Sequence, residues 1–127
     1  MNHIASPDHT DPGIERQIIA KRLTAPRVTP ADIEANIASE YYFTAGQGVS
    51  KEADSHPSYC WEKSLDLLTF CVLVLRNGFI VTGESACASP ENFDAEIGRN
   101  IARQNAVQKV WPLLGFLLKE QLHQEAP

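Results

Sequence analysis

Leu67-Leu68-Thr69-Phe70-Cys71-Val72-Leu73-Val74-Leu75, then Arg76-Asn77-Gly78, then Phe79-Ile80-Val81-Thr82-Gly83-Glu84 is the stretch that decides the fold. The first nine residues are β-branched or large and apolar, the composition of a strand, and Asn77-Gly78 suits the two positive-φ positions of a type I′ hairpin turn. Counting outward from that turn opposes Leu75 with Ile80, Val74 with Val81 and Leu73 with Thr82, and sets Glu84 across from Cys71. A strand that is apolar on both faces has to be covered on both, either by other elements of the chain or by a second copy.

Two proline-marked helix starts flank this hairpin. Thr29-Pro30-Ala31-Asp32 reads as N-cap, N1 proline and first-turn acid, with Val28 stapled on Ile33. Ile33, Ile37 and Tyr41 then share a face, which predicts a helix over about 30–43. Ser89-Pro90-Glu91 repeats the grammar and predicts a helix over about 90–110, carrying an apolar stripe (Phe93, Ile97, Ile101) and a stripe of small residues (Ala95, Gly98, Ala102, Ala106) suited to close approach of another backbone. Trp111-Pro112 is expected to break or kink it and to leave a short, leucine-rich C-terminal helix. Ile14 to Leu23 reads as a short amphipathic helix. The expected fold is α+β: an antiparallel hairpin at about 67–85 packed with two capped helices and the terminal one, in a single domain over 14–124 behind a flexible N-terminus, 1–13.

Composition excludes several function classes. A net charge of −5 without a basic stripe argues against double-stranded nucleic acid as partner. No segment reaches the roughly 20 apolar residues of a membrane span, and the N-terminal residues lack the basic start and apolar centre of a signal peptide, so a cytosolic location is expected. Cys60, Cys71 and Cys87 are an odd set without CxxC spacing, read as reduced thiols. His56 has no second ligand at metal spacing, and no metal or cofactor is expected. Gly46-Gln47-Gly48, at the start of an expected irregular stretch from Gly46 to Ser64, is too short for a phosphate loop and lacks its lysine. Glu84 beside Cys71 without a histidine is a poor nucleophilic device, and Ser85 lacks the second glycine of a nucleophile elbow. The expected protein is not an enzyme.

Two clusters admit a binding role beside a plain one. Tyr41, Tyr42 and Phe43 cannot all face one way on a helix, so they make either a second packing contact or an aromatic wall for a planar ligand. Arg99 and Arg103, four apart and near Glu96, make either a solvated ion-pair face or an anion clamp.

Arg27-Val28-Thr29-Pro30, Tyr42-Phe43-Thr44-Ala45, the Leu68 to Leu73 strand, Arg76-Asn77-Gly78-Phe79, Thr82 to Cys87, Asn92 to Arg99 and the closing Ala106 to Phe116 together resemble a family of small tailed-phage and prophage proteins, named after gene products forty-nine and sixty-six of two such phages. The resemblance covers roughly residues 27 to 122 and carries no catalytic residues. It implies a phage origin and expression in the host cytoplasm. Small acidic phage proteins of this kind commonly act against host enzymes or host defence, an inference by analogy. The expectation is a non-enzymatic counter-defence protein that binds and sequesters a small anionic nucleotide immune signal in a homo-oligomer, with Tyr42, Phe43 and Trp61 stacking on bases and Arg99 and Arg103 holding phosphates. The alternative is a protein-protein inhibitor or adaptor acting on a host bacterial protein through the apolar C-terminal helix.

Overall fold

The computed structural model of the chain describes residues 11–54 and 61–127. The elements run α1 (Pro12–Ala20), α2 (Pro30–Asn36), β1 (Ile37–Thr44), α3 (Ala45–Ala53), a 3-10 turn at Lys63–Leu67, β2 (Leu68–Leu75), β3 (Ile80–Ala86), a second 3-10 turn at Pro90–Asn92, and α4 (Ala95–Glu125). The fold is α+β: a three-stranded antiparallel sheet, ordered β1-β2-β3, with α4 lying on one face against β3 and β2. Of the expected flexible segment 1–13, residues 1–10 lie outside the described residues, as do His56 and Cys60; Asp11 already caps α1 by accepting the Gly13 N–H at 2.7 Å.

The hairpin is present, with its loop one residue longer than expected. Leu75 N–H donates to the Phe79 carbonyl at 2.8 Å and Gly78 N–H to the Leu75 carbonyl at 2.9 Å, so Arg76-Asn77-Gly78 is a three-residue loop. Only Gly78 takes a positive φ, +88°, the glycine position of such loops. The register therefore moves by one: Leu73 faces Val81, Cys71 faces Gly83, and Glu84 faces Phe70 instead of Cys71. Because side chains alternate, the expected register would have turned Thr82 and Glu84 toward the helix; the observed one turns Val81, Gly83 and Ser85 there, and all three are buried.

The expected helix over 30–43 stops after two turns. Its start is as read: Asp32 N–H donates to Thr29 Oγ1 at 3.2 Å while Asp32 Oδ2 accepts the Thr29 N–H at 2.9 Å, and Val28 packs on the core that holds Ile33. From Ile37 the chain is a strand, pairing Tyr42 with Cys71 and Phe43 with Phe70. An apolar central strand needs a neighbour along each edge, and Ile37, Tyr41, Tyr42, Phe43 and Thr44 have the strand preferences to supply one. That demand outweighs the four-residue spacing of Ile33, Ile37 and Tyr41. The expected irregular stretch likewise begins as a helix, α3, because Thr44 and Gln47 form a reciprocal capping box at 3.1 and 2.8 Å.

The long helix starts later and ends later than its sequence signals. Asp94, accepting the Ile97 N–H at 3.0 Å, is its cap, and Ser89-Pro90 opens only the 3-10 turn. The helix then continues through Pro112 for 31 residues in all. An internal proline costs on the order of 3 kcal/mol; here Val110 and Trp111 before it and Leu113 and Leu114 after it all pack on the core, which holds the two halves in one helix.

Between the layers lie Cys71, Leu73, Leu75 and Val81 from the sheet and Ala102, Ala106, Val107 and Val110 from α4. The small-residue stripe meets the chain's own sheet: a Cβ at Gly83 would overlap the Ala102 carbonyl oxygen and the Ala106 backbone nitrogen. The opposite sheet face carries half-buried Leu68, Phe70, Val72 and Val74 beside Tyr41 and Ile80, each 58% exposed. Gly83→Ala should lower the unfolding free energy by about 3 kcal/mol, the upper end of overpacking penalties. Gly115→Ala, in a helix position with open space around it, should raise it by about 0.5–1 kcal/mol. Urea denaturation followed by circular dichroism measures both, and an unchanged Gly83→Ala midpoint would show that strand and helix do not touch there.

Candidate binding recess

The strand β1 turns Tyr42 and Thr44 toward the helix side of the sheet, and α3 follows at once with Gln47 in its first turn. Phe93 leads into α4, whose first turns present Ala95 and, four residues on, Arg99. These groups close around a recess of about 280 Å³, with Phe43 and Thr69 completing its wall. Arg99 is exposed and is the one charged residue among the described residues of that wall. The capping box fixes Gln47 by its carbonyl oxygen, which leaves the amide nitrogen as a donor, and Thr44, whose oxygen accepts from Gln47, keeps its hydroxyl proton to donate.

Thr69 is only 2% exposed, and its hydroxyl has no hydrogen-bond partner among the described residues. A buried polar group left unpaired costs about 1–3 kcal/mol. Every other β2 residue is apolar or cysteine.

Arg103 is engaged elsewhere. Its two Nη atoms donate to the Glu34 carboxylate at 2.7 and 3.1 Å, and its Nε donates to Glu40 at 2.7 Å. The bond to Glu34, reinforced by Glu40, holds the guanidinium protonated more firmly than usual, against the opposing effect of partial burial. One side chain thereby ties α4 to α2 and β1. Glu40 also accepts from the Tyr42 hydroxyl at 3.2 Å, which orients that ring against the recess. Burial first, then Cys71 and Glu40, pushes the Tyr42 phenol well above its ordinary range. Burial likewise raises the Cys71 thiol, and Glu40 adds to this while Tyr42 and Arg103 oppose it.

Of the residues singled out in the sequence, Tyr42, Phe43 and Arg99 meet at one recess. Arg103 lines a different hollow, with Glu34, Asn100 and Gln104, and Trp61, 38% exposed, is not among the recess residues. The two arginines do not form a joint clamp, and Arg103 takes Glu34 and Glu40 as partners in place of the nearby Glu96. Thr44, Gln47, Thr69 and Phe93 went unread as site residues; the signals for them were the Thr44-to-Gln47 capping spacing and one polar residue inside an apolar strand. Among the described residues no group of three or more His, Cys, Asp or Glu side chains is placed to hold a metal ion, and no helix is long and apolar enough to cross a membrane.

Over residues 28–122 the sequence matches the family described as "Phage protein (N4 Gp49/phage Sf6 gene 66) family". The chain belongs to that family. The match takes in every recess residue, along with α2, the sheet and most of α4. No curated protein and no solved structure matches the chain.

The shifted phenol and thiol give a pH dependence with a definite sign. Both groups are held neutral in the folded state, so their contribution is complete below the unfolded values, 9.0 for Cys71 and 10.0 for Tyr42, and is lost as pH climbs past them. The melting midpoint of this phage protein should fall above about pH 9 as these groups ionise, with a shallower fall in Tyr42→Phe; identical slopes in the two proteins would refute the assignment. Arg103→Ala should cost on the order of 1 kcal/mol of stability, read by urea denaturation.

Proposed function

We propose that this phage protein is a non-enzymatic counter-defence factor of the host cytoplasm that binds and sequesters a small anionic nucleotide signal in a homo-oligomer. The observation that carries this reading is the meeting of Tyr42, Phe43 and Arg99, with Phe93, around one recess whose only charged wall among the described residues is a cation, in a chain of net charge −5. Aromatic faces stack on nucleobases whatever their identity, and a guanidinium holds phosphate by directed hydrogen bonds. A local cluster of donors suffices for a small anion, where a polymer would need a basic surface. The homo-oligomer is supported by the apolar outer face of the sheet, where Tyr41 and Ile80 stand exposed over Phe70, Val72 and Val74.

A second reading, an inhibitor or adaptor of a host protein, draws on the far end of α4, where Phe116 is 70% and Leu117 57% exposed. Exposed apolar side chains on a helix suit a partner's groove.

Thermal shift and calorimetry with a panel of cyclic dinucleotides and ADP-ribose-type nucleotides separate the two. Sequestration predicts a raised midpoint and ligand recovered chemically unchanged after heating, with Arg99→Ala costing about 1.5–3 kcal/mol of binding and little stability. No heat and no shift across the panel would leave the host-protein reading in its place, and hydrolysed ligand would overturn both. Light scattering at tens of micromolar, roughly the range where stable association shows, should give more than one chain per particle.

A further inference from the structure

We infer that Thr69 is a ligand-binding residue: its hydroxyl and the Arg99 guanidinium together hold an anionic phosphoryl oxygen in the recess. The inference deepens the sequestration reading and rests on the same recess, but it concerns which atoms take the phosphate. Most buried polar groups in folded proteins have a partner, and those that lack one call for a reason. Thr69 is buried, its hydroxyl is unpaired among the described residues, and the residue forms part of the recess wall. Among the described residues nothing uses that hydroxyl. Valine has the same outline, a slightly better preference for a strand and no polar atom to strand in the interior.

The surroundings fit an acceptor with no proton of its own. Across from Thr69 stands Gly98, where a Cβ would come within 3.1 Å of the hydroxyl oxygen; only a residue without a side chain lets α4 lie this close to the hydroxyl. Ala95 opens that helix on the recess wall, so the positive end of the helix dipole lies beside the hydroxyl, and Arg99 adds a full charge one turn further on. The cap carboxylate of Asp94 is turned to the Ile97 N–H and lines the neighbouring hollow formed with Ser85 and Cys87, outside the recess wall. Hydroxyl, guanidinium and the Gln47 amide all donate, which suits a phosphoryl group and leaves the rings of Tyr42, Phe43 and Phe93 for the planar part of a nucleotide. At about 280 Å³ the recess falls just under the usual range of ligand pockets, about 300–1,000 Å³, a size for one phosphoryl group and part of the nucleoside that carries it.

The test uses the full chain with two probes, inorganic phosphate and adenosine 5′-monophosphate, and the variants Thr69→Val, Thr69→Ser and Arg99→Ala. Both probes should shift the amide resonances of Ala95 and Arg99 in the unaltered protein. Thr69→Val should bind each at least tenfold more weakly while keeping or raising the melting midpoint of the free protein, and Thr69→Ser should recover most of the affinity. A hydroxyl that serves only packing, or that only holds a water molecule, would leave Thr69→Val binding unchanged, which overturns the inference. So would the absence of any resonance shift with either probe at about 10 mM, beyond the millimolar range of even weak specific sites. Phosphate binding lost in Thr69→Val, together with indifference to every signalling nucleotide, would uphold the phosphoryl site and sink sequestration. Nucleotide binding that survives Thr69→Val intact would do the reverse.

Discussion

The contact on which the rest of the structure depends is the one between Gly83 and the backbone of α4. A strand residue without a side chain lies against Ala102 and Ala106, and this brings helix and sheet closer than any pair of ordinary side chains would allow. The approach fixes much else. It buries Cys71 and Leu73, the neighbours of Gly83 on the central strand and its flank, and it seats Gly98 over Thr69. It also carries the first turns of α4 to the end of β1, which is where Ala95 and Arg99 meet Tyr42 and Thr44. The recess is thus a by-product of tight packing two turns away. Arg103 holds that placement from the other side through Glu34 and Glu40.

What could be read from the sequence was what local chemistry dictates. The Thr29 cap, the apolar run of β2 and a turn at Asn77-Gly78 each depend on residues close together in the chain, and each is present in the fold. The loop length was not legible, because Asn-Gly serves both a two-residue turn and the end of a three-residue one; the choice fell to Gly83, which had to face the helix. The strand β1 was hidden by Ile33, Ile37 and Tyr41, whose helical spacing is real but is overruled by the unpaired edge of β2. Ser89-Pro90 carries the local signature of a helix start but opens only a 3-10 turn, and Asp94, nearer the core contact, caps the helix. Pro112 has the local signature of a helix break, but packing on both flanks holds this helix continuous.

The candidate site divides along the same line. Tyr42, Phe43 and Arg99 could be named as residue types suited to a planar anion, but what distinguishes Arg99 from Arg103 is partners 63 and 69 positions away in the chain. No spacing rule within a helix reveals that. Thr69 was visible only as an interruption in an apolar strand, and the same residue would be unremarked had its hydroxyl found a partner. Its meaning comes from burial, a fact of the fold.

Phe43 links the apolar outer face of the sheet with the recess. Strand alternation turns it to the outer face of the sheet, where its ring stacks on Phe70 with centroids 5.4 Å apart, yet it also borders the recess at the end of β1. A second copy or a host protein seated on that outer face would press on Phe43 and so change the recess wall. On the proposed function, ligand binding and association would then be linked equilibria, and whichever form binds a nucleotide more tightly would be the form that the nucleotide favours. A particle size that responds to added nucleotide would be the direct sign of this linkage, and one that never responds would mean that Phe43 behaves as two independent surfaces. On the linked reading, the apolar outer face and the cationic recess are parts of one device, joined through a single aromatic ring.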